Sequence, residues 1–455
     1  TLFRSMALMV SGHFQQSDPH DAPYLKLMEI SDEMCKRLLH HEGLYYPLGL
    51  GPHGLVSEAL LLHMKSPAIH GALNMIYRYG ITEDETYAQK VYPYLRGVAD
   101  FWEKDLVCRD GVYHVVGDGM HERTDGNIRD NGVPEDPVNT LGYLKTFFTW
   151  MPRISEALDL DEKKREKWLE IAENLAPYPK GTIREIQENP TLWKEVDVKL
   201  EDLLPEEMLD KEIYYDEGIG GKWSFHFPGN VMQIYPGNAI GLGSEPEELE
   251  VARNTVQIHA LVENALGELE YKKALEEAEG VKNPHFYKAG AFNASNLSCL
   301  FFTAAVRVGY DPEIIWKEMR DMILNRGIPN GFLKENPHGI EQLNTIPDAI
   351  QEMMLQSCEG VIRIFPVWPS AEHPNASFRN FRAWGGFEVS AVLKDGEVER
   401  VTILSHKGHP CRVENPWPGK SVKVSYEYGR PDEVHFGEYL NIELYKEEHA
   451  ELFRI

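Results

Sequence analysis

Apolar side chains return at helical spacing in one segment after another through the first three quarters of the chain, and this rhythm predicts a mainly α-helical unit. It runs through Leu27, Met28, Met34, Cys35, Leu38 and Leu39, then Tyr87, Val91, Leu95, Val98 and Trp102. It continues at Leu141, Leu144, Phe147, Phe148, Met151 and Ile154, at Ile315, Trp316, Met319, Met322 and Ile323, and at Ile346, Ala349, Ile350, Met353 and Met354. About ten to twelve helices are expected between Pro23 and Cys358. The connections are uneven, and those over 107–137, 177–245 and 325–343 are long and rich in Gly, Pro, His, Asn and aromatic residues. Connections of that length usually exist for function. No short repeat period marks a solenoid, and hairpins of unequal length fit a closed helical toroid better.

After Cys358 the period drops from 3.6 to 2. Val361 to Phe365, then Phe387, Val389, Ala391 and Leu393, then Val398, Val401 and Ile403 read as strands, with an Asp395-Gly396 turn and further runs near Val422 and Ile442. The predicted division is a helical unit over 1–358 and a C-terminal antiparallel β-sandwich over 359–455. The joining stretch VIRIFPVWP is apolar, so the two units are expected to pack together.

At 455 residues the chain exceeds the size at which one core usually stops growing. Its formal charge of −26 is spread over helix faces and turns and repels nucleic acid and anionic membranes, which leaves a neutral or only locally charged substrate. There is no uninterrupted apolar run of the roughly 18 residues a membrane span needs. Cys35, Cys108, Cys299, Cys358 and Cys411 show no paired or metal-binding spacing and read as buried thiols. Motifs for a P-loop, a nucleophile elbow, a zinc protease and a dinucleotide turn are all missing, so no cofactor and no metal are expected. The opening TLFRSMALMV does not make a convincing signal peptide, and the chain reads as a mature or truncated piece; a secreted, periplasmic or cytoplasmic location all stay open.

Three blocks carry a resemblance. GIEQLNTIPDAIQEMMLQSCEGVIRIFPVWP (339–369) continues into FRAWGGFEVSAVLKDGEV and CRVENPW, and YPYLRGVADFWEKDLV precedes YHVVGDGMHER upstream, with a weaker fourth block at MQIYPGNAIG. In order and spacing these resemble glycoside hydrolase family 95, the inverting α-L-fucosidases and their relatives. The resemblance implies an (α/α)6 toroid followed by a C-terminal β-sandwich, acting on an oligosaccharide or glycan. It also implies a β-sandwich ahead of the toroid, which is expected to be missing from this chain.

Inverting hydrolysis needs a protonated carboxyl beside the leaving oxygen and a carboxylate that activates water across the ring, roughly 6.5 to 9.5 Å apart. The resemblance puts Glu122 at the general-acid position and Glu341 where the family carries an aspartate base; the plain alternatives are a solvated acid and a helix N-terminal acid. Asp118 and Asp125 would raise the acid's pKa by charge, whereas His121 and Arg123 would lower it and are better cast as sugar ligands or structural partners. Trp223 with His226, and His338 three residues before Glu341, are the favoured sugar contacts among aromatic and imidazole candidates that include His70, Trp368 and Trp384. Asn344 is a candidate helix cap and a candidate ligand. The family's asparagine-rich motif is not present at the start of the chain, where Leu2 and Arg4 stand instead. An exo-glycosidase on an α-L-fucoside or related L- or deoxy-sugar is the leading reading. A phosphorylase, a lyase, another glycosidase or a non-catalytic carbohydrate-binding relative are the alternatives.

Overall fold

The computed structural model describes residues 7–51, 54–55, 64–119, 133–188, 200–216, 229–277, 298–329 and 341–455. The helices are α1 Phe14–Lys26, α2 Met28–Leu39, α3 Pro67–Thr82, α4 Glu85–Asp105, α5 Val138–Ala157, α6 Glu162–Glu173, α7 Ile183–Glu188, α8 Pro246–Glu277, α9 Ser298–Arg307, α10 Pro312–Arg326 and α11 Glu341–Met354. Every segment with helical apolar spacing is among them. Local chemistry sets several starts: the Asp84 carboxylate accepts from Thr86 N and Tyr87 N at the head of α4, and Asp311 caps α10 with Pro312 in the first turn.

Burial sorts the helices into two layers. α3 and α5 are buried almost all round, whereas α6 buries only Trp168, Ile171 and Ala172. The inner helices run parallel. His70 meets Tyr143 near the starts of α3 and α5, and Tyr79 meets Trp150 near their ends, with ring centroids 4.7 and 6.5 Å apart. In α9 and α11, Thr303 bonds Asp348 at 3.1 Å and Arg307 bonds Glu352 at 2.8 Å, so these two also share one direction. Arg307 ties them to α3 through the Tyr77 hydroxyl at 3.3 Å. α4 folds back beside α3 after a two-residue turn, and α6 folds back beside α5, where Lys145 reaches the Ala172 carbonyl at 2.9 Å. A parallel inner helix with a returning outer partner is thus seen twice, in α3 with α4 and in α5 with α6.

Short antiparallel pairs β1 Leu50–Gly51 with β2 Gly54–Leu55, β3 Val107–Arg109 with β4 Val112–His114, and β5 Lys180–Thr182 with β6 Glu212–Tyr214 precede a C-terminal antiparallel sheet whose spatial order is Glu433–His435, Val422–Tyr426, Glu448–Arg454, Glu397–Ser405, Phe387–Lys394, Ala376–Ala383. Its strands are β9 Ala376–Ala383, β10 Phe387–Lys394, β11 Glu397–Ser405, β13 Val422–Tyr426, β14 Glu433–His435 and β16 Glu448–Arg454, while β12 Cys411–Glu414 pairs separately with β15 Tyr439–Ile442. Asp395 and Gly396 take φ of 52° and 81° and close β10 onto β11, as a two-residue mirror-image turn demands. Both ladders feed one apolar core, to which Val389, Val401, Leu452, Val413 and Ile442 all belong.

This sheet packs on the C-terminal ends of the inner helices. Trp384 lies edge-on to Tyr77 and Trp150, with centroids 5.1 and 4.8 Å away, over Gly80, where any Cβ would overlap the indole. Gly385 N donates to Gly80 O at 2.7 Å. The expected boundary at 358/359 falls inside a small hairpin, since β7 Leu355–Gln356 pairs with β8 Arg363–Ile364 directly after α11. The two units therefore share a continuous core.

Candidate functional site

Four of the proposed site residues, namely His121, Glu122, Arg123 and His338, lie outside the described residues, and so do Trp223 and His226. Glu341 and Asn344 are described in backbone only. Glu341 is the first residue of α11, a position where a carboxylate also meets the favourable end of the helix dipole. Asn344 is the fourth residue of that helix, so it is not the cap that the sequence suggested. The helix simply starts one turn earlier than Asn344.

The described flanks of these segments are joined to one another. Strands β3 Val107–Arg109 and β4 Val112–His114 form the hairpin before Glu122, and the chain beyond it reaches Asp118, which is fully buried. Asp118 accepts from Lys65 N at 2.6 Å and from the Thr140 hydroxyl at 2.6 Å, tying this loop to the chain just before α3 and to the first turn of α5. Val138 N, at the head of α5, donates to Asp216 O at 3.0 Å, just before the segment carrying Trp223 and His226. That segment re-enters at Asn230, whose amide reaches Tyr214 O at 3.3 Å. All these anchors sit at the N-terminal end of the inner layer, the end at which parallel α11 begins with Glu341.

Below these loop roots the inner layer holds buried titratable groups that periodicity did not reveal. Burial pushes the Asp118 carboxyl up to about 6, against the hydrogen bonds from Thr140 and Lys65. Asp348 is pushed up to about 7 by burial and by the neighbouring Glu352 charge, against hydrogen bonds from Tyr235 and Thr303 and the Arg307 charge. His70 and His259 are each held down to about 4 by burial. These shifts set opposed pH dependences. Between about pH 4 and 7 the folded chain keeps a proton on Asp348 that the unfolded chain releases, so this group's stabilisation is lost as pH rises. Between about 6.5 and 4 the unfolded chain protonates His70 while the folded chain does not, so that contribution is lost as pH falls. Urea unfolding from pH 4.5 to 7.5 checks both: the stability of wild type relative to Asp348→Asn falls across that range, and relative to His70→Phe it rises. Parallel curves would refute the assignment.

Other polar groupings are structural. Asp136 Oδ2 is 2.8 Å from His114 Nδ1, and its Oδ1 accepts from Val115 N at 2.9 Å while Arg109 holds Glu135. The three potential metal ligands His114, Glu135 and Asp136 thus already fasten the base of the hairpin. Cys35, His41 and Asp105 stand in line, with Sγ to Nδ1 at 3.6 Å and Nε2 to Oδ1 at 3.4 Å. Burial pushes that thiol up to about 12, the wrong direction for a nucleophile. Cys108 is exposed, unlike the buried thiol expected there. Trp368 is buried, its indole donating to His373 O at 2.9 Å. Among the described residues no helix is long and apolar enough to cross a membrane.

Neither a protein-family model nor a curated protein matches this chain. Among solved structures it is similar to a protein provisionally described as a kojibiose phosphorylase from the human microbiome, at 10% identity and TM-score 0.41, over 91% of this chain and 55% of that one. It is also similar to an α-L-rhamnosidase from Dictyoglumus thermophilum, at 13% and 0.37, over 85% and 40%. A third is a GH127 β-L-arabinofuranosidase from Geobacillus stearothermophilus T6, at 9% and 0.26, over 100% and 80%. The chain spans about half the length of the first two. At these scores neither fold nor activity passes from them to this chain.

Proposed function

We propose that this chain is the helical catalytic unit and C-terminal sandwich of an inverting glycoside hydrolase, with Glu122 as general acid and Glu341 as general base. Closure of the inner helices into an (α/α)6 toroid and a division at 358/359 belong to the same reading. One observation supports it most: the loop that bears Glu122 and the helix that begins with Glu341 enter the inner layer at the same end. Two carboxylates from distant parts of the sequence are what inversion needs, one protonating the leaving oxygen while the other takes a proton from water. His121, Arg123, Trp223, His226, His338 and Asn344 are the candidate sugar contacts of this reading. As the first residue of α11, Glu341 occupies the end of the helix dipole that favours a carboxylate, which suits a base. The proposed substrate is an α-L-fucoside or a related L- or deoxy-sugar glycoside.

The test is a panel of aryl α-L-fucosides, α-L-rhamnosides, β-L-arabinosides and α-D-galactosides, with the first-formed sugar anomer read by proton NMR. Release of the inverted anomer from an L-sugar supports the reading. A retained anomer, or no turnover on any member, overturns it.

A further inference from the structure

A cleft lies at the C-terminal end of the inner helices, between them and the sheet. It has a volume of about 470 Å³ and is lined by Lys145, Trp150 and Arg153 of α5, by Asn238, and by Trp384 and Arg412 from the sheet side. The 16 residues of α3 span about 24 Å between this end and the loop roots, so the cleft is separate from the proposed catalytic end.

We propose that this cleft binds a saccharide carrying a negative charge, either a uronate carboxylate or a sulfate ester. Its electrostatics point that way. Of the carboxylates in the lining, Glu83 pairs with His409 at 2.6 Å, and Glu359 accepts from Gly243 N at 3.0 Å and from the Arg363 guanidinium. Arg153 and Arg412 have no carboxylate partner among the described residues; each lies over an aromatic ring, Trp150 at 4.9 Å and Tyr439 at 4.3 Å. Lys145 is bonded to a carbonyl rather than to an acid. A chain of net charge −26 thus places three cations around one cavity, two of them arginines without a carboxylate partner among the described residues. Such a site attracts anions and presents planar donor forks to them.

The rest of the lining selects for a hydroxyl-rich ligand over a bare ion or a nucleotide. Both polar atoms of the Asn238 side chain are buried with no hydrogen-bond partner, and its backbone is held at φ 56°. An unpaired donor beside an unpaired acceptor matches a sugar hydroxyl, which is both. The Ser357 hydroxyl accepts from Trp384 N at 3.1 Å and keeps its own proton to donate. Trp150 and Trp384 meet at 60° with Arg153 covering one face, so there is no parallel aromatic slot between them for a base to enter. Their half-exposed edges offer the apolar surface that a sugar ring packs on.

Binding is read without turnover, so the outcome is independent of the hydrolytic reading. The full chain is titrated with trigalacturonate, sulfated galactotriose, neutral galactotriose, sodium sulfate and adenosine monophosphate, following tryptophan fluorescence and heat. The charged trisaccharides are expected to bind at least about tenfold more tightly than neutral galactotriose, the worth of one hydrogen bond to a charged group. Arg153→Gln and Arg412→Gln, both at exposed positions and expected to unfold as wild type does, should each remove about that factor, and the double variant should abolish the preference for charge. Which charged trisaccharide binds better identifies carboxylate or sulfate as the preferred group. Equal affinity for charged and neutral trisaccharides, affinity unchanged in the double variant, or sulfate or adenosine monophosphate binding as tightly as the charged sugars would each overturn the proposal.

Discussion

Glu122→Gln and Glu341→Gln are each expected to lower kcat by about 10²- to 10⁴-fold, the range that general acid or base catalysis contributes, while leaving the fold intact. The two losses should differ in character. Glu122→Gln takes away the proton needed by the leaving group, so activity should recover in part on substrates whose aryl alcohol is acidic enough to leave unaided, such as a 2,4-dinitrophenyl glycoside. Glu341→Gln takes away the group that activates water, and a good leaving group cannot replace it. Small anions such as azide can attack without base assistance and should restore turnover, giving a glycosyl azide of inverted configuration. In wild type the pH dependence of kcat/KM should be bell-shaped, with its alkaline limb missing in Glu122→Gln and its acid limb missing in Glu341→Gln. Steady-state rates on the two leaving groups, with and without azide, check all of this. Activity within a few fold of wild type in either variant removes that residue from the mechanism.

The helices and the sandwich strands were legible because one strong signal, apolar spacing, is written locally. Pro67 and Asp311 mark starts, and Asp395-Gly396 marks a turn whose two left-handed residues leave little choice of connection. What the spacing did not give is which helices lie inside, since that is set by packing between segments far apart in sequence. In α3 the run from Ala68 to Ile81 is buried almost throughout, and its lack of a polar face was the available sign of an inner position. Strands β9 and β16 escaped notice for a different reason. ASFRNFRA alternates imperfectly because it carries two arginines and an asparagine, with a register shift opposite Ser390, while EHAELFR buries Ala450 and Leu452 among polar neighbours.

The proposed site was read from motif blocks, and its side chains lie outside the described residues, so the structure bears on it through the flanking anchors only. Asp118 was noted in sequence as a charge that could act on Glu122. The structure gives it another role: its two oxygens hold Lys65 and Thr140 together, and burial raises its own pKa. The cleft beside the sheet was not read from sequence, since its lining is assembled from six separate stretches that only the fold brings together. Only an asparagine with buried, unpaired side-chain atoms and arginines without acidic partners among the described residues make it visible, and both are properties of the assembled fold.

Arg307→Met is expected to cost about 3 to 5 kcal/mol of folding stability, as the breaking of a buried ion pair does. Arg307 is 2% exposed at the end of α9 and forms a fork to Glu352, with Nη2 to Oε1 at 2.8 Å and Nε to Oε2 at 3.3 Å. The same guanidinium covers the Tyr235 ring at 5.1 Å and reaches the Tyr77 hydroxyl. Without it, the Glu352 carboxylate, whose side chain is 12% exposed, faces a largely apolar interior one helical turn from the buried Asp348. Two neighbouring carboxyls with no cation between them drive each other toward the neutral form, so the penalty should grow as pH rises above about 7, where Asp348 also loses its proton. Arg307→Met with Glu352→Leu removes both charges and replaces them with apolar volume, and it should recover most of the loss. Guanidinium unfolding of the wild type, the two single variants and the double variant, at pH 6 and pH 8, gives the coupling free energy directly. A double variant no more stable than Arg307→Met would show that the arginine acts through its contacts with Tyr77 and Tyr235 rather than through Glu352. If the ion pair is the cause, the damage reaches α11 first, because Glu352 and Asp348 are the side chains that fix this helix to α9, and α11 is the helix that opens with Glu341.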